Sequence, residues 1–176
     1  MSTRSTIAIL KKDDSVDAIY CHSDGYLSHN GELLFTEYSE VEKVKTLISL
    51  GDMSFLDREV SPPSDQNHSF DNRYPGVSVF YGRDRGEEGV KASRFNSLEE
   101  YLKNGFFQEY DYIFNEKKNS WYLINQNNLK LEKLSTKLIK EREVSQYVKD
   151  MITSEREAKR LNKVLPKKEA TKKVKI

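Results

Sequence analysis

The sequence predicts an α+β domain in which an antiparallel sheet of β-hairpins is packed on one side by two helices, with a long helical region after it. Three observations predict it. Short β-branched and aromatic runs recur in pairs across turn residues in residues 1–126. Two segments of that stretch carry apolar residues at helical spacing between a serine and a glycine. Beyond Asn128 glycine disappears, and leucine and valine return every three or four residues. The expected organisation is an α+β domain over 1–126, an amphipathic helical region over 127–165, and a basic, disordered tail over 166–176.

Ser5–Leu10 and Val16–Cys21 read as a first hairpin around the turn Asp13-Asp14-Ser15. Asp24-Gly25 and Asn30-Gly31 are turn signals on either side of Tyr26-Leu27-Ser28-His29. Glu32–Tyr38 has a helical pattern. Ser39 with Glu42 forms a capping-box pattern ahead of Val41, Val44, Leu47 and Ile48, and Gly51 stands where such a helix would end. Ser61–Tyr74, with Pro62-Pro63, reads as a surface loop. Val77–Tyr81 and Val90–Phe95 are expected to pair around a charged turn at Gly82–Gly89. Ser97 caps a helix over Leu98–Lys103, with Glu100 in the reciprocal position and Gly105 at its end. Tyr110–Phe114 and Trp121–Ile124 flank a connection of Asn115–Ser120 and read as an aromatic hairpin.

Composition bounds the function. Ten Tyr and eight Phe supply the area for a core although 32% of the 176 residues are charged. The single cysteine excludes an internal disulfide, which fits a reducing, cytoplasmic setting. No apolar run approaches the length of roughly 18 residues that a membrane span needs, so a soluble protein is expected. From Glu155 to Ile176 nine Lys/Arg face three Glu, a net of +6, so the total of +1 leaves residues 1–154 at −5. An acidic body with a basic tail disfavours nucleic-acid binding except through the tail, where contacts would go to backbone phosphates.

These pieces resemble a family of small, mostly uncharacterised bacteriophage and prophage proteins. The resemblance rests on Thr3-Arg4-Ser5, Tyr20-Cys21-His22-Ser23-Asp24-Gly25-Tyr26, Lys43-Val44 through Leu50-Gly51-Asp52, Arg83-Asp84-Arg85-Gly86-Glu87 and the aromatic hairpin from Tyr110 to Tyr122, and covers residues 1–125. The chain has Ser23 where the family has Trp, and Leu27 where it has Pro. The resemblance implies a viral accessory protein and no established activity.

Cys21, His22 and Asp24 contain the residue types of a thiol nucleophile and its base, but in an extended segment neighbours point to opposite faces, so Cys21 and His22 diverge. His22, Asp24 and His29 have no recognisable metal-ligand spacing. No cofactor is expected. Arg83 and Arg85 are candidates to hold a phosphate or carboxylate, the more so if Arg4 lies beside them. The expected site is therefore Arg4, Tyr20, His22, Asp24, Tyr26, Arg83, Asp84, Arg85 and Glu87, and the expected role is non-enzymatic binding of a host protein in the host-cell cytoplasm, with inhibition of a defence system as one outcome. The alternative is binding or turnover of a nucleotide or other phosphorylated small molecule. The C-terminal helix is a candidate homodimer surface.

Overall fold

A computed structural model describes residues 2–142 together with 151, 153, 154, 156 and 160. Residues 1–140 form one compact unit and 141–176 a second, of which the described residues are helical. In the first unit the elements run β1 (Ser5–Leu10), β2 (Val16–Cys21), a π-helical turn (Leu27–Gly31), α1 (Glu32–Glu37), α2 (Val41–Ser49), β3 (Met53–Phe55), β4 (Val79–Phe80), α3 (Tyr81–Arg85), β5 (Ser93–Phe95), α4 (Leu98–Asn104), β6 (Tyr110–Asn115), β7 (Ser120–Asn125) and β8 (Lys130–Lys133). The α+β class stands. Among the described residues no helix is long and apolar enough to cross a membrane.

The sheet is mixed rather than antiparallel. Its order is β4-β3-β2-β1-β6-β7-β8, with β5 also on β2. The β1–β2 and β6–β7 hairpins form as predicted, but β6 joins β1 in parallel, Ile7 opposite Tyr112, and β3 meets β2 in parallel at Cys21 and Met53. The chain between the hairpins is thus a long crossover, which hairpin-by-hairpin reasoning does not anticipate. All six residues of β1 are buried, the mark of a central strand covered on both faces.

Helices cover both faces, not one. Ile7, Ile9, Ile19, Tyr112, Phe114 and Trp121 share a core with Leu34 of α1 and Val44 and Leu47 of α2. Ala8, Val16, Ala18, Ile113 and Ile124 share a second core with Tyr101 of α4. Strand alternation separates the two sets: neighbours along β1 and β6 point to opposite cores.

Other expectations need correction. The pairing of 77–81 with 90–95 does not form. β4 lies on β3 and β5 on Val16–Ala18, because the intervening residues wind into α3. Ser39 does not cap α2, which starts after Glu40 without a side-chain cap, while Gly51 does follow its end at φ 82°. Ser97 caps α4 by accepting from the Glu100 N–H at 3.0 Å, but Glu100 accepts from the N–H of Asn96 rather than closing the box on Ser97. Residues 130–133, expected to be helical, form β8 against β7, and helix starts at residue 136. Of the rest of the expected 127–165 helix, residues 136–142, 151, 153, 154, 156 and 160 are helical, and the others from 143 on lie outside the described residues, as does the 166–176 tail.

Candidate functional site

The site is built where β2 ends. Alternation turns Cys21 into the core and leaves Tyr20 and His22 facing outward, with the Tyr20 hydroxyl 2.9 Å from His22 Nδ1. Asp52, just past α2, gathers the surrounding segments. Its Oδ1 accepts from the Tyr20 N–H at 2.8 Å, its carbonyl accepts from the Tyr81 N–H at 3.0 Å, and its own N–H donates to the Val90 carbonyl at 2.7 Å. Burial holds the Asp52 carboxyl above its ordinary range, and the Tyr20 hydrogen bond opposes that. One residue, through its side chain and its backbone, thus ties together β2, α3 and the 86–91 loop.

A row of half-exposed groups crosses this junction. Arg4 pairs with Glu109 at 3.4 Å and Arg85 with Glu87 at 2.9 Å. Between them lie Tyr20 and Tyr81. Burial raises both phenols, Tyr20 lying within the fields of Arg4 and Glu109, and Tyr81 within those of Tyr20, Arg85 and Glu87. The Arg85 guanidinium sits over the rings of Phe70, at 4.6 Å, and Tyr81, at 5.2 Å. Arg4, Tyr20, His22, Arg85 and Glu87 are thereby brought together.

Asp24 and Tyr26 take a different environment. Asp24 adopts φ 54°, and the Gly25 N–H donates to the Thr3 carbonyl at 2.8 Å while the buried Tyr112 hydroxyl donates to the Gly25 carbonyl at 2.8 Å. A Cβ at Gly25 would lie 2.7 Å from the Arg4 carbonyl, so glycine is required for this loop to lie on the segment that carries Arg4. Tyr26 is 37% exposed and meets His29 edge to face. Burial and the nearby Asp24 raise its phenol.

Asp84 faces inward, and the partly exposed Arg83 reaches in to it. The Asp84 side chain is 1% exposed and is held by both Nε and an Nη of Arg83, at 2.7 and 2.8 Å, and by the Phe80 N–H at 2.7 Å. Arg83 also donates to the carbonyls of Val60 and Ser78, closing the loop between β3 and β4. His68 of that loop accepts from the Tyr74 N–H at Nδ1, so its proton is on Nε2, 3.5 Å from Asp84 Oδ2. Two arginines gripping one anion is therefore not the arrangement here: Arg83 is engaged internally and Arg85 stacks outside.

Cys21 is fully buried, and burial pushes its thiol up to about 11, against hydrogen bonds from Asn30 and to Ser23. A thiol so placed is not an activated nucleophile. His22 bonds Tyr20 and His29 bonds Asn30 Oδ1. Among the described residues no three His, Cys, Asp or Glu are grouped to hold a metal ion.

Asp52, Phe70, Tyr81 and Glu109 belong to the row and were not picked out in the sequence. Gly51-Asp52 after a helix was the available signal for the first. Glu109 and Phe70 had none, since their places depend on the parallel β1–β6 pairing and on the Asp84 network. No protein-family model, characterised protein or solved structure matches the chain.

Proposed function

We propose that this is a binding protein that engages a host protein through the row Arg4–Glu109, Tyr20–His22, Tyr81 and Arg85–Glu87, in the manner of a phage accessory factor, acting in the host cytoplasm and serving to block a defence system. The observation that carries the reading is the composition of the row. Tyrosine and arginine on a rigid frame, with charges half-exposed and mutually paired, are the groups that dominate protein interfaces. The pairs set register and suppress wrong partners, while the rings supply buried area on contact. The sealed thiol of Cys21 supports binding rather than covalent chemistry at the adjoining turn.

Capture from host lysate at physiological salt tests it. The parent chain and Lys103→Glu, an exposed change on α4 away from the row, are expected to retain the same partner; Arg85→Glu and Tyr81→Ala are expected to lose it with unchanged melting temperature. Equal capture by all four overturns the reading.

A second reading, a nucleotide or other phosphorylated ligand held by Arg4 and Arg85, is favoured only by those two half-exposed guanidiniums lying in one row. Both already have carboxylate partners. A thermal-shift panel of nucleotides separates the two, because a ligand at 100 times its Kd adds about 2.7 kcal/mol of stability.

A further inference from the structure

We infer that the cavity between the end of α2 and residues 82–91 binds a small zwitterion with an apolar body, a free aliphatic or aromatic amino acid. The cavity shares Glu87 with the partner row but takes its unpaired charges from residues outside it.

The cavity measures about 610 Å³, within the range typical of small-ligand sites. Leu50 and Val90 give it an apolar lining, and Arg83, Glu87, Glu88 and Lys91 provide its charges. Two of those charges are already engaged: Arg83 with Asp84 and the carbonyls of Val60 and Ser78, and Glu87 with Arg85. Among the described residues neither Glu88 nor Lys91 has an ion-pair partner. One unpaired anion and one unpaired cation, three positions apart at an apolar site, complement a ligand that carries both charges close together. A singly charged ligand would leave one of them unmatched, and a neutral ligand both.

The position of α2 adds direction. Ser49 and Leu50, its last residue and C-cap, line the cavity, so the negative end of the helix dipole lies at the wall. That end favours a positive charge on the ligand, whose ammonium group then pairs with Glu88 and its carboxylate with Lys91. The frame is rigid before any ligand arrives. The Val90 carbonyl is tied to the Asp52 N–H at 2.7 Å, the Glu87 N–H to the Tyr81 carbonyl at 3.1 Å, and the Gly86 N–H to the Gly82 carbonyl at 3.1 Å. Preformed walls of this kind reduce the ordering cost of binding.

Isothermal titration of the full chain with L-leucine, L-phenylalanine, N-acetyl-L-leucine and L-leucinamide tests the assignment. The free amino acids are expected to bind, and removing either ligand charge to weaken binding about tenfold. Glu88→Gln is expected to erase the difference between leucine and its N-acetyl form, and Lys91→Met the difference between leucine and its amide. Ser49→Trp, on an exposed position of the last α2 turn, is expected to fill the cavity and abolish binding with an unchanged melting temperature. Absence of binding by both free amino acids overturns the inference. So does equal binding of the capped forms to the parent chain, or binding that survives Ser49→Trp.

Discussion

The inward and outward sides of α3 are made from the same residue types and do opposite work. On the inner side Arg83 grips Asp84 and two carbonyls, with Asp84 only 1% exposed. On the outer side Arg85 grips Glu87, and both remain about two-fifths exposed at 39% and 41%. A carboxylate withdrawn from water makes its pair structural, because removing the arginine strands a buried charge. A pair left in water contributes little to stability and stays available to a partner. The difference lies in burial, not in residue type.

The sharpest way to break this comparison is truncation on the inner side. Arg83→Ala leaves Asp84 buried with only backbone and histidine neighbours, and is expected to lower the unfolding free energy by about 3–5 kcal/mol in urea titration. The loop of residues 60–78 should become sensitive to protease at the same time. A loss below about 1 kcal/mol, the range of exposed pairs, would mean that the inner side is no more structural than the outer.

Next in size is Gly25→Ala. The added methyl would lie 2.7 Å from both carbonyl atoms of Arg4 and 2.9 Å from Ser5 Cβ, and backbone cannot swing aside as a side chain can. Overpacking of this kind costs about 1–3 kcal/mol. Because the displaced residue is Arg4, the change should also weaken partner capture. Stability loss with capture intact would detach the 22–26 turn from the row.

Much of this was legible in the sequence, within limits set by distance along the chain. Ser5–Leu10, Val16–Cys21 and the hairpin of Tyr110 onward were readable because their pairing is local and their turns carry Asp, Asn and Ser. The parallel joining of β1 to β6 was not, since it brings Ser5 beside Tyr110 and no turn chemistry spans such a gap. The unbroken apolar run Ile7-Ala8-Ile9-Leu10 did hint at a strand covered on both faces. The candidate site was legible to the same degree. Outward placement of Tyr20 and His22 followed from alternation around Cys21. Division of labour between Arg83 and Arg85 did not, because it depends on the 60–78 loop closing over one of them.

A pH series probes a second buried carboxylate that, unlike Asp84, has no ion-pair partner among the described residues. Asp111 is fully buried among Thr6 Oγ1, the Gln108 N–H and Gln126 Nε2, at 2.7, 2.9 and 2.6 Å. Burial raises its pKa despite these donors. The folded state therefore holds this proton to higher pH than the unfolded chain does. Its contribution to stability is greatest below the unfolded carboxylate range and declines as pH rises through the folded value. Asp111→Asn is expected to flatten that decline in urea titrations between pH 4 and 7, while changing stability at pH 7 by about 1 kcal/mol or less. A slope unchanged by the substitution would show that the three donors fully offset burial.

The smallest expected change in stability belongs to Arg85→Ala, at about 0–1 kcal/mol, and it divides the two sides of α3 most cleanly. Removing this guanidinium leaves Glu87 in water, where an unpaired carboxylate is hydrated at little cost. It also uncovers the faces of Phe70 and Tyr81, which the side chain now covers. Those faces are apolar area that a partner's arginine or aliphatic group can still use, so truncation alone should weaken capture less than the reversal Arg85→Glu. The reversal places a second negative charge beside Glu87 and repels whatever complements the present pair. Capture measured against salt separates the contributions: the part lost on reversal should shrink as ionic strength rises, and the part carried by the rings should not. Equal loss for both variants at every salt concentration would make Arg85 a packing residue, and the recognition surface would then reduce to its tyrosines.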